Sequence, residues 1–338
     1  MGNMLGTLSR AGLGLGLGAL LFLIVAMRWP TAATGGVATW VADRDGNALV
    51  ALDPDLFVVQ KQVLRHPVRI AHAGAGLWVA AAVAGGPLGS HALFWAQAGA
   101  APAVVSGGGA LGPLLDLECA PSGGALLVEF GLAGAPARLL RTGPGGLGVG
   151  PVLHPFATHL GATAVLGVLA EGPVAGLLVE DLLVGDSKGW LTRYGPDASV
   201  LGAVSLGGQL VDLEAGPDGR VFALDAAGPG RILCLDRELH VLWAQTSGLA
   251  TEHLSAVPGE ERVWIADSTE PLARRYGPGG FLELEVLLPT SDVSAVRAES
   301  DRGALFSTPG AVLRVDPFGA ILPGQGGFDY LTDIDSGR

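Results

Sequence analysis

Apolar and polar positions along this chain recur in short blocks bounded by glycine, proline and aspartate, and beyond the N-terminal run no stretch sustains a helical period. One six-residue apolar block returns seven times: "ALVALD" (48–53), "ALFWAQ" (92–97), "ARLLRT" (137–142), "WLTRYG" (190–195), "RILCLD" (231–236), "LARRYG" (272–277) and "AVLRVD" (311–316). The spacings are 44, 45, 53, 41, 41 and 39 residues, and the longest encloses an apparent insertion around "VLGVLAEGPVAG". Upstream of most copies lies a hairpin-like unit that ends in an acid, as in "LVDLEAGPDGRVFALD" (210–225), "HLSAVPGEERVWIAD" (253–267) and "LLDLECAPSGGALLVE" (114–129). The turns "GPDGR", "DPDL", "GPGG" and "DPFG" place proline and glycine where tight turns need restricted or positive φ.

Each repeat therefore reads as four strands, and roughly 40–45 residues per four-stranded unit is the period of a propeller blade. The pattern predicts an all-β, seven-bladed β-propeller of four-stranded antiparallel blades. Blades 2 (67–105) and 4 (about 155–206) depart furthest from it. The final "GGFDYLTDIDSGR" supplies one strand and a turn, and "GGVATWVADRDGNALVALD" near the other end supplies the strands that complete that repeat. The C-terminal strand is expected to pair with the N-terminal strands and close the ring, hiding both edges.

Residues 11–27, "AGLGLGLGALLFLIVAM", form an uncharged run flanked by Arg10 and Arg28. The run lies near the lower limit of a membrane-spanning helix and also suits a signal-peptide core. Thr31 and Ala33 offer a cleavage pair, whereas Arg28 and the interfacial residue Trp29 favour an uncleaved signal anchor. The reading is an N-terminal hydrophobic helix and linker over 1–35 and a propeller over 36–338, exported and held at the cytoplasmic membrane. Gly12, Gly14, Gly16 and Gly18 contain pairs four apart that could admit a second membrane helix.

A formal charge of −12 argues against nucleic acid and anionic lipid surfaces, which both need clustered basic residues. Cys119 and Cys234 sit far apart in apolar stretches and read as free thiols, with a disulfide as the alternative. Neither covalent haem nor a paired-cysteine zinc site has its motif, and no cofactor or metal is predicted.

The blade pattern of "PDGRVFALD" or "ERVWIAD" followed by "RRYGPGG" resembles the NHL-repeat and virginiamycin B lyase-like β-propellers over residues 37–338. That resemblance implies a fold that hosts many functions. If the likeness extended to a lyase, a histidine and acids from adjacent blades would converge on a metal, with His253 and Asp212 as the pair.

Aligned on the second strands, Asp43, Glu129, Asp186, Asp225 and Asp267 share one register, with Ala81 and Thr308 in the other two blades. These acids either form a ring that attracts a cation or accept backbone N–H bonds from the following turns, and strand-end aspartate favours the second role. Aligned on the innermost strands, Arg69, Asp116, Asp212, His253 and Tyr330 share a register, with Ala295 in blade 7 and His159 taken for blade 4. These residues are expected to line a central channel, as a ligand site or as solvated lining. Pro155 in "HPFATH" marks a loop and makes His154 and His159 surface residues. Trp40, Trp78, Trp95, Trp190, Trp243 and Trp264 are expected to fill the wedges between blades. The functional reading is a non-enzymatic binding or scaffold module with protein partners at the membrane. The alternative is an extracytoplasmic lyase or hydrolase with a metal or acid/base pair at the channel mouth.

Overall fold

The computed structural model describes residues 39–74, 76–83, 90–105, 111–130, 136–143, 153–171 and 178–336. The hydrophobic helix expected near the N-terminus, with Gly12, Gly14, Gly16 and Gly18, lies outside the described residues. Among the described residues no helix is long and apolar enough to cross a membrane.

The described strands form seven four-stranded antiparallel sheets, the blades of a β-propeller. The innermost strands, in ring order, are Leu331–Ser336 (blade 1), Pro67–Ala73, Leu114–Cys119, Ala162–Glu171, Leu210–Ala215, Thr251–Ala256 and Ala295–Ala298 (blade 7). Blade 1 is completed by Thr39–Asp43, Ala48–Leu52 and Val58–Val63. Thr39–Asp43 pairs with Leu331–Ser336, Val41 opposite Ile334, so the expected closure is present.

Second strands such as Thr39–Asp43, Val221–Asp225 and Val263–Asp267 are buried at every position, because a neighbouring blade covers each face. That double burial makes them read as continuous apolar runs. Outer strands such as Val241–Thr246 face solvent. Among the described residues the core is divided into seven clusters, each spanning one blade-to-blade interface. The largest fully buried side chains, Trp78, Trp264, Phe222 and Phe306, all stand on second strands. Trp190 departs from expectation: it opens the third strand of blade 4 and is 44% exposed.

Blade 4 is also reassigned at its start. Residues Leu153–His159 form the outer strand of blade 3 and pair with Ala137–Thr142. Pro155 therefore lies in a strand rather than a loop. An outer strand tolerates proline because it pairs with a neighbour on one side only. The insertion lengthens the first hairpin of blade 4, where Val168–Glu171 pair with Leu178–Asp181. Cys119 and Cys234 are not joined in a disulfide; the Cys119 thiol donates to Ala120 O, and burial pushes the Cys234 thiol up to about 11.

Candidate functional site: the central channel and its mouth

Inner strands slip by one residue against their neighbours near the start, as between Pro67 and Arg69, Leu114 and Asp116, Leu210 and Asp212, and Thr251 and His253. Each slip is a β-bulge, which re-aims the residue that follows it. Past the bulge, Asp333, Arg69, Asp116, Ala164, Asp212, His253 and Ala295 hold equivalent positions around the ring. Arg69, Asp116, Asp212 and His253 thus come together as the sequence predicts. Tyr330 does not join them: it precedes its strand, its N–H donates to Asp43 Oδ1 at 3.0 Å, and Asp333 takes the ring position. His159 is displaced too, into the outer strand of blade 3, where its Nδ1 lies 2.7 Å from the Tyr194 hydroxyl and Ala164 fills the blade 4 position.

The ring acids are tied to backbone. Asp333 Oδ2 accepts from Ile70 N at 2.9 Å, Asp116 Oδ2 from Val165 N at 2.8 Å and Asp212 Oδ2 from Leu254 N at 2.8 Å, each bond crossing to the next blade's inner strand. Asp335 Oδ2 likewise accepts from His72 N at 2.6 Å, and Ser255 Oγ from Ala298 N at 3.0 Å. These bonds satisfy inner-strand N–H groups and lace the blades together at the axis. Sequence alignment missed Asp333, Asp335, Glu214 and Arg297. The repeated acid-x-acid of "DLE" (116–118), "DLE" (212–214) and "DID" (333–335) is the signal that marks three of them.

Inside the ring is a narrow cavity of about 110 Å³, lined by Arg69, Asp116, Asp212, Glu214, His253, Arg297, Asp333 and Asp335 among others. Arg297 reaches across it, Nη2 lying 3.1 Å from Asp335 Oδ1 and Nη1 3.6 Å from Glu214 Oε1. Burial pushes the Asp116 and Asp333 carboxyls up to about 6, against the attraction of Arg69. Burial, with repulsion from Asp116 and Glu214, raises Asp212 well above the usual carboxylate range. Burial, with the charge of Arg69, drives the His253 imidazole down to about 3 and keeps it neutral.

Arg69 and His253 also line a second, wider cavity of about 450 Å³ at the channel mouth, walled by Arg44, His91, Ser268, Asp292, Ser294 and Tyr330. Arg44 stacks over the Tyr330 ring at 4.3 Å and pairs with Asp45. The second-strand acids end on this face. Asp43, Asp186, Asp225 and Asp267 are buried and accept N–H bonds from adjacent turns, for example Gly46 N to Asp43 Oδ1 at 3.2 Å and Ala250 N to Asp267 Oδ2 at 3.0 Å. Glu129 accepts from Gly112 N and pairs with Arg138. These acids fasten turns. Among the described residues no group of three or more histidine, cysteine, aspartate or glutamate side chains is placed to hold a metal ion.

No family model and no curated protein matches the chain. Solved structures do resemble it. A functionally unknown protein from Desulfotomaculum acetoxidans DSM 771 aligns at 14% identity and a TM-score of 0.61, over 89% of this chain and 99% of that one. The WD40 β-propeller domain of Doa1 aligns at 14% identity and 0.57, over 82% of this chain and 87% of that one. The WD40 domain of Neurospora crassa Pan2 aligns at 13% identity and 0.50, over 74% of this chain and 75% of that one. At such identities these likenesses show that the chain has the β-propeller fold.

Proposed function

We propose that this protein is a membrane-tethered, extracytoplasmic propeller that binds a protein partner on its channel-mouth face and serves as an accessory subunit of a membrane assembly. One observation carries the choice of binding over catalysis: the ring carboxylates Asp116, Asp212 and Asp333 accept backbone N–H bonds from the next blade, as does Asp335, and Glu214 faces Arg297. A general acid or base must release and recapture a proton at its oxygens, and oxygens held as acceptors between strands are poorly placed for that. The apolar run at 11–27 supports the tether, and the WD40 neighbours support an interaction role. The blade-level likeness to NHL-repeat propellers fits the same reading. The lyase or hydrolase alternative rests on the cavity shared by Asp212 and His253.

The test is purification of the full chain from native membranes with identification of what co-purifies. It is repeated with Asp292→Arg and Ser268→Arg on the mouth, and with Leu242→Glu on an outer strand as control. A partner lost with the mouth variants and kept with the control supports the reading, and a partner indifferent to all three overturns the choice of face. A truncation starting near Gly36 is expected to stay folded and leave the membrane. An insoluble product would place the boundary between anchor and propeller elsewhere.

A further inference from the structure

Most other arginines among the described residues are matched with acids, while Arg65 is exposed and Arg141 lies over the Phe156 ring at 4.7 Å. Arg193 pairs with Asp181, Arg231 with Asp225, Arg274 with Glu285, Arg275 with Glu283, Arg297 with Asp335 and Arg314 with Glu299. Arg69 is different. Its hydrogen bond is Nη1 to the adjacent Val68 carbonyl at 3.5 Å, and among the described residues no carboxylate oxygen lies within 4.0 Å of its nitrogens. The two ring acids that attract it, Asp116 and Asp333, are already occupied by backbone N–H donors. Arg69 stands where the narrow waist opens into the mouth, and it lines both cavities. A half-buried guanidinium is costly to desolvate without a partner anion, and its planar fork is shaped for a two-oxygen acceptor.

We propose that Arg69 is the anion-binding residue of the channel mouth and that the group it takes is a single carboxylate. This rests on the reading of the mouth as the binding face. The surroundings choose the charge. Arg44, the other guanidinium on the wall, is paired with Asp45, so Arg69 presents the unshared positive charge and Asp292 on the wall opposes further negative charge; a dianionic phosphate exceeds that balance, whereas a monoanion matches it. His253, beside Arg69 and kept neutral, offers one ring N–H without adding charge, and the hydroxyls of Ser268 and Tyr330 stand on the walls. A mouth of about 450 Å³ is in the range that holds a small organic acid or the terminal residues of a peptide. Both sources present the same carboxylate.

The experiment is calorimetric titration of the full chain with acetate, lactate and benzoate, each beside its primary amide, with the tripeptide Gly-Gly-Phe as free acid and as C-terminal amide, and with inorganic phosphate. Arg69→Met and Arg69→Lys are titrated alongside. At least one carboxylate is expected to bind, with its amide about tenfold weaker or worse, Arg69→Met weaker by a similar factor and Arg69→Lys by less. Binding by the small acids alone assigns a metabolite-like ligand, and binding by the peptide acid alone assigns a chain terminus. The proposal is overturned if the amide binds as well as the acid, if phosphate binds more tightly than every carboxylate, if Arg69→Met leaves binding unchanged, or if no carboxylate binds at about 10 mM. The acid–amide comparison uses the unaltered protein, so it decides even if Arg69→Met fails to fold. Carboxylate binding lost while the partner still depends on Ser268→Arg would sink this inference and leave the scaffold reading standing. The reverse pattern would do the opposite.

Discussion

Blades 2 and 6 solve the same packing problem with opposite chemistry. Both place a fully buried tryptophan at one second-strand position, and both indoles donate to a carbonyl in the next blade: Trp78 Nε1 to Gly123 O at 3.1 Å, and Trp264 Nε1 to Arg302 O at 3.0 Å. Opposite Trp264 stands Arg275, which covers its ring at 5.5 Å and extends Nη1 to Arg302 O at 2.8 Å and Pro317 O at 2.9 Å. Opposite Trp78 stands Trp95, its ring 4.7 Å away and tilted by 57°, and its buried Nε1 has no hydrogen-bond partner among the described residues. Arginine also crosses to the next blade from the same third-strand position in blades 4 and 7, where Arg193 Nη1 donates to Arg237 O at 2.9 Å and Arg314 Nη1 to Pro54 O at 2.7 Å. Blade 2 substitutes dispersion for that reach, and Gly76 is the condition for it, since a Cβ there would come within 2.2 Å of the Trp95 ring. The blade period thus fixes where a side chain sits, while the interface can be closed by a cation or by a second aromatic.

The comparison can be broken at several levels. The largest effect is expected from what both blades depend on, the closed ring. Removing residues 328–338 should abolish a single cooperative melt followed by circular dichroism, whereas an intact melt would show that closure adds nothing. Next, Trp264→Ala and Trp78→Ala should each cost about 3–5 kcal/mol in chemical denaturation. A loss confined to one of them would end the equivalence of the two blades. Arg275→Met should cost about 1.5–3 kcal/mol, since it takes a charged donor from Pro317 O and leaves Arg302 O with the Trp264 indole, while Trp95→Phe should be near neutral because it removes an unsatisfied N–H along with some contact area. Equal costs would refute the division into ionic and aromatic closure.

The smallest effect concerns the inner strands of blade 6 and of blade 3, which follows blade 2, in the pH dependence of stability. His253, on blade 6, is held near 3 against an ordinary value of 6.5, so its contribution is present above 6.5 and is lost as pH falls toward 3. Asp116 is held near 6 against 3.8, so its contribution is present below 3.8 and is lost as pH rises through 6. Thermal melts from pH 4 to 6 should therefore show stability rising more steeply with pH in Asp116→Asn and less steeply in His253→Gln, and unchanged slopes would remove the physical basis given for both shifts.

Most of the fold was legible because each third strand carries one apolar block at a steady period, from "ALVALD" to "AVLRVD", and all seven blocks contribute to the third strands of their blades. The channel was legible only in part. Arg69, Asp116, Asp212 and His253 were found, but the inner-strand bulges break the two-residue alternation, and counting across the break moved the blade 1 position from Asp333 to Tyr330. In blade 4 the guide failed because Ala164 carries no polar mark, and His159, the ionisable residue nearest in sequence, belongs to the preceding blade. The arginine bridges escaped notice because an arginine in a strand facing a neighbouring blade looks, in sequence, like an arginine facing water. Which reading holds depends on carbonyls some 27–44 residues further on in blades 4 and 6, and on Pro54 at the other end of the ring for Arg314.

The pairing of Thr39–Asp43 with Leu331–Ser336 also sets a timetable. The two strands are separated by roughly 290 residues, so at about 5–20 residues per second the ribosome needs on the order of 15–60 s between making one and making the other. Throughout that interval the edge of Thr39–Asp43, an apolar strand buried on both sides in the finished ring, waits without its partner. A strand edge left open for that long invites pairing with another chain. Newly made copies are therefore most exposed to mispairing just before the last strand emerges, and protection of that one edge during synthesis should govern the yield of folded protein more than any change in the finished core.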